Sequence, residues 1–520
     1  MTEYSRKGAK RRFLCVFAPL RDIHRGCEFA YVILKNPGKL KISFNKIVFS
    51  ALVLLYIQPA ICFAQHKKDS ITIPASAKYE SPTLLRKIFI GRNYRREWTT
   101  PVNIPIFHLK EERGGFAIVD SGGGKQTNTL RLVDKKGNEW VLRSVDKDIE
   151  KALVPGLRNT MVETLMQDLQ SAIHPYAALT IPVLARAIRL TAPNPYIFFV
   201  PDDPAFGEHR PIFANTVCYL EDREPTADNS DTKSTTTVLE DVTEESDNRL
   251  VQKQMLKARL LDMLVGDWDR HEDQWRWTEK DSAGINYYYP IPRDRDFAYF
   301  YSDGLFIKFA SRFSLPHMKG FTSEPSGLRH LNAKVLSLDM RWLNELTSED
   351  WKKAIKDLQK NISDQVIDKA VKRLPAEVYT FSAKNIASKL KTRRDGLMKH
   401  AMRYYEFLSA QPMITGTDEP DIFTITSNDS ALFVVVRRAG SSKNKKAIYQ
   451  RKFNPSETKR ISIIGLGGND SFIVDQNVTS SIKLYLKGGE GNDEYSVHGK
   501  IKTRIDDLDQ STSKSVLAHK

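Results

Sequence analysis

The stretch from Asp247 to Ala298 constrains this chain more than any other. Residues 247–265 carry apolar side chains at helical spacing, with Ser246 or Asp247 placed to cap the start and Gly266 to end it. That helix runs into Gly266-Asp-Trp-Asp-Arg-His-Glu-Asp-Gln274, and Pro292-Arg-Asp-Arg-Asp-Phe-Ala298 follows further on. Six carboxylates, at Asp267, Asp269, Glu272, Asp273, Asp294 and Asp296, fall within thirty residues. Between the two acidic groups, Trp275 to Ile291 reads as a hairpin turning at Asp281-Ser-Ala-Gly284, which returns the second group toward the first. Carboxylates brought together in this way hold a divalent cation, with one left to orient or deprotonate an attacking hydroxyl. The alternative is a solvated loop whose acids pair with Arg270, Arg293 and Arg295.

The flanks set the fold class, which is α+β. Thr129-Leu-Arg-Leu-Val and Glu139-Trp-Val-Leu-Arg-Ser-Val alternate around Asp134-Lys-Lys-Gly137-Asn, a hairpin pattern. Asn159 to Ile173 reads as a helix, and Tyr196-Ile-Phe-Phe-Val and Thr216-Val-Cys-Tyr-Leu as strands. Thr226 to Thr237 is polar and reads as a surface loop. Residues 347–410 are helical, opened by Thr347-x-x-Asp350 and divided at Pro375; from Met413 the pattern turns to β. This places a core over 74–346, with a first lobe to about 225 and a second from about 238. A helical extension over 347–410, a small all-β domain over 413–505 and a polar tail over 506–520 follow.

Residues 1–64 are a separate matter. Lys and Arg are frequent up to Lys46, and Ile47 to Ala64 is free of charge and apolar, with polar Gln65-His-Lys-Lys68 next. Basic region, apolar core and small residues before a polar chain make a secretory signal cleaved near Ala64, the alternative being an N-terminal membrane anchor. The leader holds eleven basic and three acidic side chains, about half the excess behind the formal charge of +16, so the rest of the chain is mildly basic and no nucleic-acid partner is expected. Cys15, Cys27 and Cys62 leave with it; Cys218 alone remains, so no intramolecular disulfide is expected after export to the periplasm or envelope.

The order of residues in the acidic stretch resembles the catalytic and metal loops of atypical kinases, such as lipid kinases, secretory-pathway kinases and spore-coat-type protein kinases. Asp269-Arg270-His271 is followed by an amide at Gln274, and Asp296-Phe297-Ala298 stands where a metal motif would. The resemblance implies a two-lobed kinase-like core in which Asp269 is the catalytic carboxylate. Gln274, Asp294 and Asp296 would be metal ligands, for Mg or Mn with ATP. It also implies nucleotide contacts from Gly122, Gly123 and Gly124 ahead of a strand, and from Arg143 on the face it shares with Val141. Glu163 on the next helix would pair with Arg143, and Leu220-Glu221-Asp222 would be the hinge. Arg143 stands in place of lysine and Gln274 in place of asparagine, with Lys147 a nearby substitute cation. His271 reads as structural, and Trp268, Trp275 and Trp277 as core packing.

A longer resemblance, carried by Tyr-Arg-Arg-Glu-Trp98, Gly-Gly-Gly-Lys-Gln-Thr127, Leu-Arg-Ser-Val-Asp-Lys147, His-Pro-Tyr-Ala-Ala178 and the acidic loop, is to an uncharacterised family of bacterial envelope proteins. Members often continue into an outer-membrane β-barrel of the surface-antigen type, which implies association with an outer membrane or barrel protein. In the tail, Gly465-Leu-Gly-Gly-Asn-Asp-Ser-Phe472 and Gly488-Gly-Glu-Gly-Asn-Asp-Glu-Tyr495 are similar to calcium-binding glycine–aspartate repeats, with Asp470 and Asp493 as candidate calcium ligands. With only two copies, 23 residues apart, they read as structural turns in which each Asp bonds its own turn. The expected function is an exported metal-dependent phosphotransferase with an unknown acceptor. A non-catalytic kinase-derived scaffold of a barrel system and a metal-dependent phosphoester hydrolase are the alternatives.

Overall fold

Alternation of apolar residues dictates the first layer. In Thr129–Asp134, Leu130 and Leu132 point inward and are fully buried, meeting Leu142, Phe198 and Leu220 from neighbouring strands and Phe107 above them. Five strands, Phe116–Gly122, Thr129–Asp134, Glu139–Ser144, Tyr196–Val200 and Thr216–Asp222, form an antiparallel sheet in the order first, second, third, fifth, fourth. The turn between the second and third is the expected one: the Asp134 carboxylate accepts the N–H groups of Lys136 (2.8 Å) and Asn138 (2.9 Å). A helix, Met161–Leu169, is inserted after the third strand and capped by the Thr160 hydroxyl. The computed structural model describes residues 69–506 apart from 81, 123–126, 151–152, 227–229, 326 and 441–446, so the leader and almost all of the polar tail lie outside the described residues. Among the described residues no helix is long and apolar enough to cross a membrane.

Beyond the sheet, the core is built on the helix Gln252–Val265 and the hairpin of Trp275–Ser282 with Ile285–Pro292. The helix begins five residues later than its periodicity predicts. Asn248–Leu250 pair in parallel with Asn286–Tyr288, and the free edge of the hairpin satisfies their backbone groups before the helix can start. Gly266 ends the helix as expected, in the left-handed region at φ 72°. The polar stretch before it was expected to be loop; instead Lys233–Ser234 join the hairpin edge and Ser234 caps the helix Thr235–Glu244. Its serine and threonine content marks a helix start as well as a loop, and composition does not separate the two. The helical extension follows the reading closely. Thr347 and Asp350 form a capping box on Ser348–Asn361, and Pro375 precedes the 34-residue helix Ala376–Ser409.

The β-segment winds as a solenoid. Met413–Thr415, Arg460–Leu466, Lys483–Gly489 and Thr503–Ile505 stack in parallel in one sheet. Asp421–Asn428, Ser471–Val474 and Glu494–Val497 stack in parallel in the other, with a hairpin of Ala431–Arg438 and Tyr449–Phe453 on its edge. The corner between the sheets repeats three times, because Gly416 and Asp421 form a copy that the two expected motifs had not included. The carboxylates also bond differently from expectation. Asp421 N–H donates to Asp470 Oδ1 (2.8 Å) and Asp470 N–H to Asp493 Oδ1 (2.9 Å), so each side chain joins successive rungs. Close stacking is what demands the glycines: a Cβ on Gly491 would lie 1.9 Å from the Gly468 carbonyl oxygen of the rung below. Phe423, Phe472 and Tyr495 stack above one another with centroids 4.6 and 4.9 Å apart. The solenoid has its own apolar core, yet it is fastened to the helices: Tyr449 Oη and Arg451 Nη1 both donate to Asn344 O.

Candidate active site

Pleating sends Arg143 from the third strand of the sheet toward the segment that follows the hairpin. Its Nη1 lies 2.5 Å from both Asp294 Oδ1 and Asp296 Oδ2, and its Nε 3.5 Å from Glu221 Oε1 on the adjacent strand. Lys147 Nζ is 3.5 Å from Asp296 Oδ2 and stands over the Phe297 ring at 4.4 Å. The hairpin delivers Asp294 and Asp296 beneath the sheet. The Asp269 loop is fastened beside them: the Trp268 ring packs edge-on against Phe297 with centroids 4.6 Å apart. Asp269 accepts an ion pair from Lys334 Nζ, its N–H donates to Asp267 Oδ1 (3.1 Å), and its side chain keeps 14% exposure.

Two expected contacts come out differently. Glu163 does not reach Arg143; it accepts the Asn159 N–H (2.6 Å) at the start of its own helix, and Glu221 takes the place beside Arg143. A carboxylate in the first helical turn is held there by the unpaired N–H groups. The Gln274 amide oxygen accepts from Arg270 Nη1 (2.8 Å) and is buried, so it is already engaged rather than offered to a cation. Gly122 ends the first strand with an open, exposed face, whereas Gly123 and Gly124 lie outside the described residues.

Charge in the cleft is nearly self-compensated. Burial works against the Arg143 guanidinium, but Asp294, Asp296 and Glu221 outweigh it and push its pKa well above the usual value. Burial, reinforced by the adjacent Asp294 and opposed by Arg143 and Lys147, pushes the Asp296 carboxyl up to about 6. For Asp294 the balance runs the other way: Arg143 and Lys147 overcome burial and hold it well below the carboxylate range. Asp294 also sits at φ 51°, a left-handed conformation that costs a non-glycine residue about 1–2 kcal/mol.

A second layer holds these loops in place. Asp262, fully buried near the end of its helix, faces Arg259 Nη1 (2.6 Å), Arg295 Nε (2.8 Å) and Arg270 Nε (3.4 Å). It joins the helix to both the Asp269 loop and the Asp296 loop. Arg259 continues to Asp339 (2.9 Å), and Tyr404 Oη donates to Asp339 Oδ2 (2.8 Å) from the long helix. Arg393 closes the helix end by donating to the carbonyls of Leu264 (2.7 Å) and Met263 (2.6 Å). Reading the sequence for its acidic loop passed over Asp262, although a carboxylate between Leu261 and Met263 with an arginine three residues earlier is a visible anomaly on an apolar face.

Two carboxylates suit a magnesium ion, which keeps several waters and takes its remaining ligands from bound phosphates. Asp296 Oδ1 is buried and finds no hydrogen-bond partner among the described residues, which fits a ligand atom. Among the described residues there is no group of three or more His, Cys, Asp or Glu side chains placed to hold a metal. The Arg143 guanidinium nitrogen now stands between the two carboxylates. The cleft is correspondingly tight: the cavity lined by Arg143, Ala178, Ile181, Glu221, Asp294 and Arg295 has a free volume of ≈ 20 Å³, against roughly 300–1,000 Å³ for small-molecule sites.

No family model matches this chain, and no curated protein matches it in sequence. The resemblance to bacterial envelope proteins thus has no counterpart in these comparisons. Among solved structures, the chain is similar to the Helicobacter pylori proinflammatory kinase CtkA, at 12% identity and a TM-score of 0.30 over 55% of this chain and 96% of that one. It is also similar to the Rio2 kinase of Chaetomium thermophilum, at 14% identity and a TM-score of 0.25 over 55% and 74%. The same kinase in its ADP/Mg2+–phosphoaspartate complex gives 14% identity and a TM-score of 0.21 over 47% and 71%. Likenesses this distant say nothing of the reaction, and the kinase-like reading rests on the arrangement of the cleft.

Proposed function

We propose that this chain is a metal-dependent phosphotransferase of the atypical-kinase kind, described here with its cleft closed. One observation carries the reading: a cation on the third strand of a five-stranded antiparallel sheet meets two carboxylates that follow the Asp269 loop and its hairpin. Asp294 and Asp296 would hold a magnesium or manganese ion, which when bound supplies neutralisation of phosphate charge. Arg143 and Lys147 face the same space and would bind phosphate oxygens. Asp269 would take the proton of the acceptor hydroxyl, with Lys334 fixing its carboxylate. ATP is the nucleotide this reading favours.

Opening requires Arg143 to leave the carboxylates. That same contact favours a second reading, a non-catalytic scaffold whose arginine permanently replaces the metal. Nucleotide-dependent stability separates the two. With ATP and magnesium at a hundredfold excess over Kd, an active fold gains about 2.7 kcal/mol, and Asp296→Asn should abolish the gain. A wild-type melting temperature indifferent to ATP with either metal selects the scaffold. Export completes the proposal: N-terminal sequencing of protein from its native host should begin at Gln65, and a retained segment 47–64 would select the anchor instead.

A further inference from the structure

Two helices leave an apolar face without cover. In Leu84–Phe89, Leu84, Leu85, Ile88 and Phe89 are all exposed, at 73%, 67%, 44% and 52%. In Leu305–Phe313, Leu305, Phe306, Phe309 and Phe313 are exposed as well, with Phe309 at 70% and Phe313 at 66%. The helices meet back to back. Ile90 and Ile307 share one buried cluster, and a Cβ on Gly304 would lie 2.3 Å from the Ile90 carbonyl, so only glycine permits the approach. The two exposed apolar sets are thereby carried on neighbouring helices, and within the second helix Phe309 and Phe313 pair with centroids 4.9 Å apart. Scattered surface leucines are ordinary, but eight exposed large apolar side chains on two neighbouring helices mark an interaction surface.

Charge identifies the partner. Residues 82–92 and 304–320 contain no Asp or Glu, yet carry Arg86, Lys87, Arg92, Lys308, Arg312 and Lys319. Phenylalanine and leucine interleaved with lysine and arginine, without acids, are what an anionic bilayer surface takes up: rings enter the acyl boundary and cations meet lipid phosphates. We propose that the helices Leu84–Phe89 and Leu305–Phe313 dock this protein onto an anionic lipid bilayer. The proposal does not depend on the reaction at the cleft, and it would bring the second of these helices, which follows Asp296 by nine residues, to the lipid surface.

Amide hydrogen exchange on the full chain tests this locally, whatever the apolar run 47–64 does. With vesicles of phosphatidylglycerol mixed into phosphatidylcholine, amides in 84–89 and 305–315 should gain protection. Phe309→Ser with Phe313→Ser should weaken that protection at least tenfold in lipid concentration. Lys308→Glu with Arg312→Glu should weaken it about fivefold or more per charge and remove the preference over pure phosphatidylcholine. All four side chains are exposed, so unchanged melting temperatures would show that the variants fold. The proposal is overturned if wild type gains no protection there with anionic vesicles. It is equally overturned if protection appears without lipid and grows with protein concentration, which would make a second copy the occupant.

Discussion

Asp262→Ala should lower the unfolding free energy of this chain by on the order of 3–5 kcal/mol, because it leaves buried arginines without their counter-charge. Arg259, Arg295 and Arg270 converge on that one carboxylate, all four side chains being almost wholly buried. Burial alone would raise the Asp262 pKa, but the three guanidinium groups outweigh it and lower it, so the carboxylate is charged in the folded state. Arg259 keeps Asp339 and Asn332 as partners, whereas Arg295 has no other carboxylate within ion-pair distance among the described residues. The loss should therefore fall on the Asp269 and Asp296 loops first. Urea denaturation measures the total, and hydrogen exchange locates it: protection should drop most across 267–274 and 293–298. Asp262→Asn, which keeps the shape and removes the charge, should show a smaller loss of the same pattern. A change under about 1 kcal/mol for the alanine variant, the size of a surface pair, would mean that the arginines find solvent and that the network does not hold the loops.

The solenoid should lose stability as pH rises from about 4 to 8. Burial pushes the Asp470 carboxyl from an ordinary 3.8 up to about 8, with Asp421 and Asp493 on the adjoining rungs adding to the rise. A raised folded pKa means that the folded chain binds a proton the unfolded chain has released. The stabilisation is therefore complete below about pH 3.8 and is lost as pH climbs through about 8. Allowing for solvent at the corner, the change should be roughly 1–3 kcal/mol. Asp470→Asn keeps an oxygen for the Asp421 N–H and cannot titrate, so its profile should be flatter than wild type, with a remaining slope from Asp421, whose carboxyl burial pushes up to about 6, and its melting temperature should be higher than wild type at pH 8. Calcium at low millimolar concentration should leave the wild-type melting temperature unchanged, since Asp470 and Asp493 already bond a neighbouring rung and Asp421 its own turn. Stability that rises across this pH window, or a large calcium response, would show that the ladder is ionised and holds a cation.

Elements whose residues interact locally were legible without the fold. The Asp134 turn, the Thr347 capping box, the Pro375 boundary and the Gly266 helix end each depend on side chains within four residues of the backbone they satisfy. The meeting of Arg143 with Asp296 was legible only through the resemblance of the acidic stretch to kinase loops, since the hairpin pattern by itself implies no more than the return of the second acidic group toward the first. What no local rule contains is competition between distant partners. Whether Glu163 or Glu221 reaches Arg143 depends on how closely a helix approaches the sheet, and the Asn159 N–H held Glu163 back. Gln274 could offer its oxygen to a metal or to Arg270, and only the packing of two loops decided for Arg270.

The repeats show the same division. Gly465 with Asp470 and Gly488 with Asp493 announced turns, since glycine beside aspartate has few other uses. The third copy, Gly416 with Asp421, lacks the neighbouring glycines and becomes evident only where Asp421 N–H donates to Asp470 across the rungs. By itself, then, the sequence determined the broad order of helical and β segments, those ends that carry a local cap or turn, and the acidic loops, all set by short-range sterics and hydrogen bonding. Tertiary structure alone decided which charges compensate one another. Burial makes an uncompensated charge costly, and the partner is chosen by whichever group the packed core brings within reach.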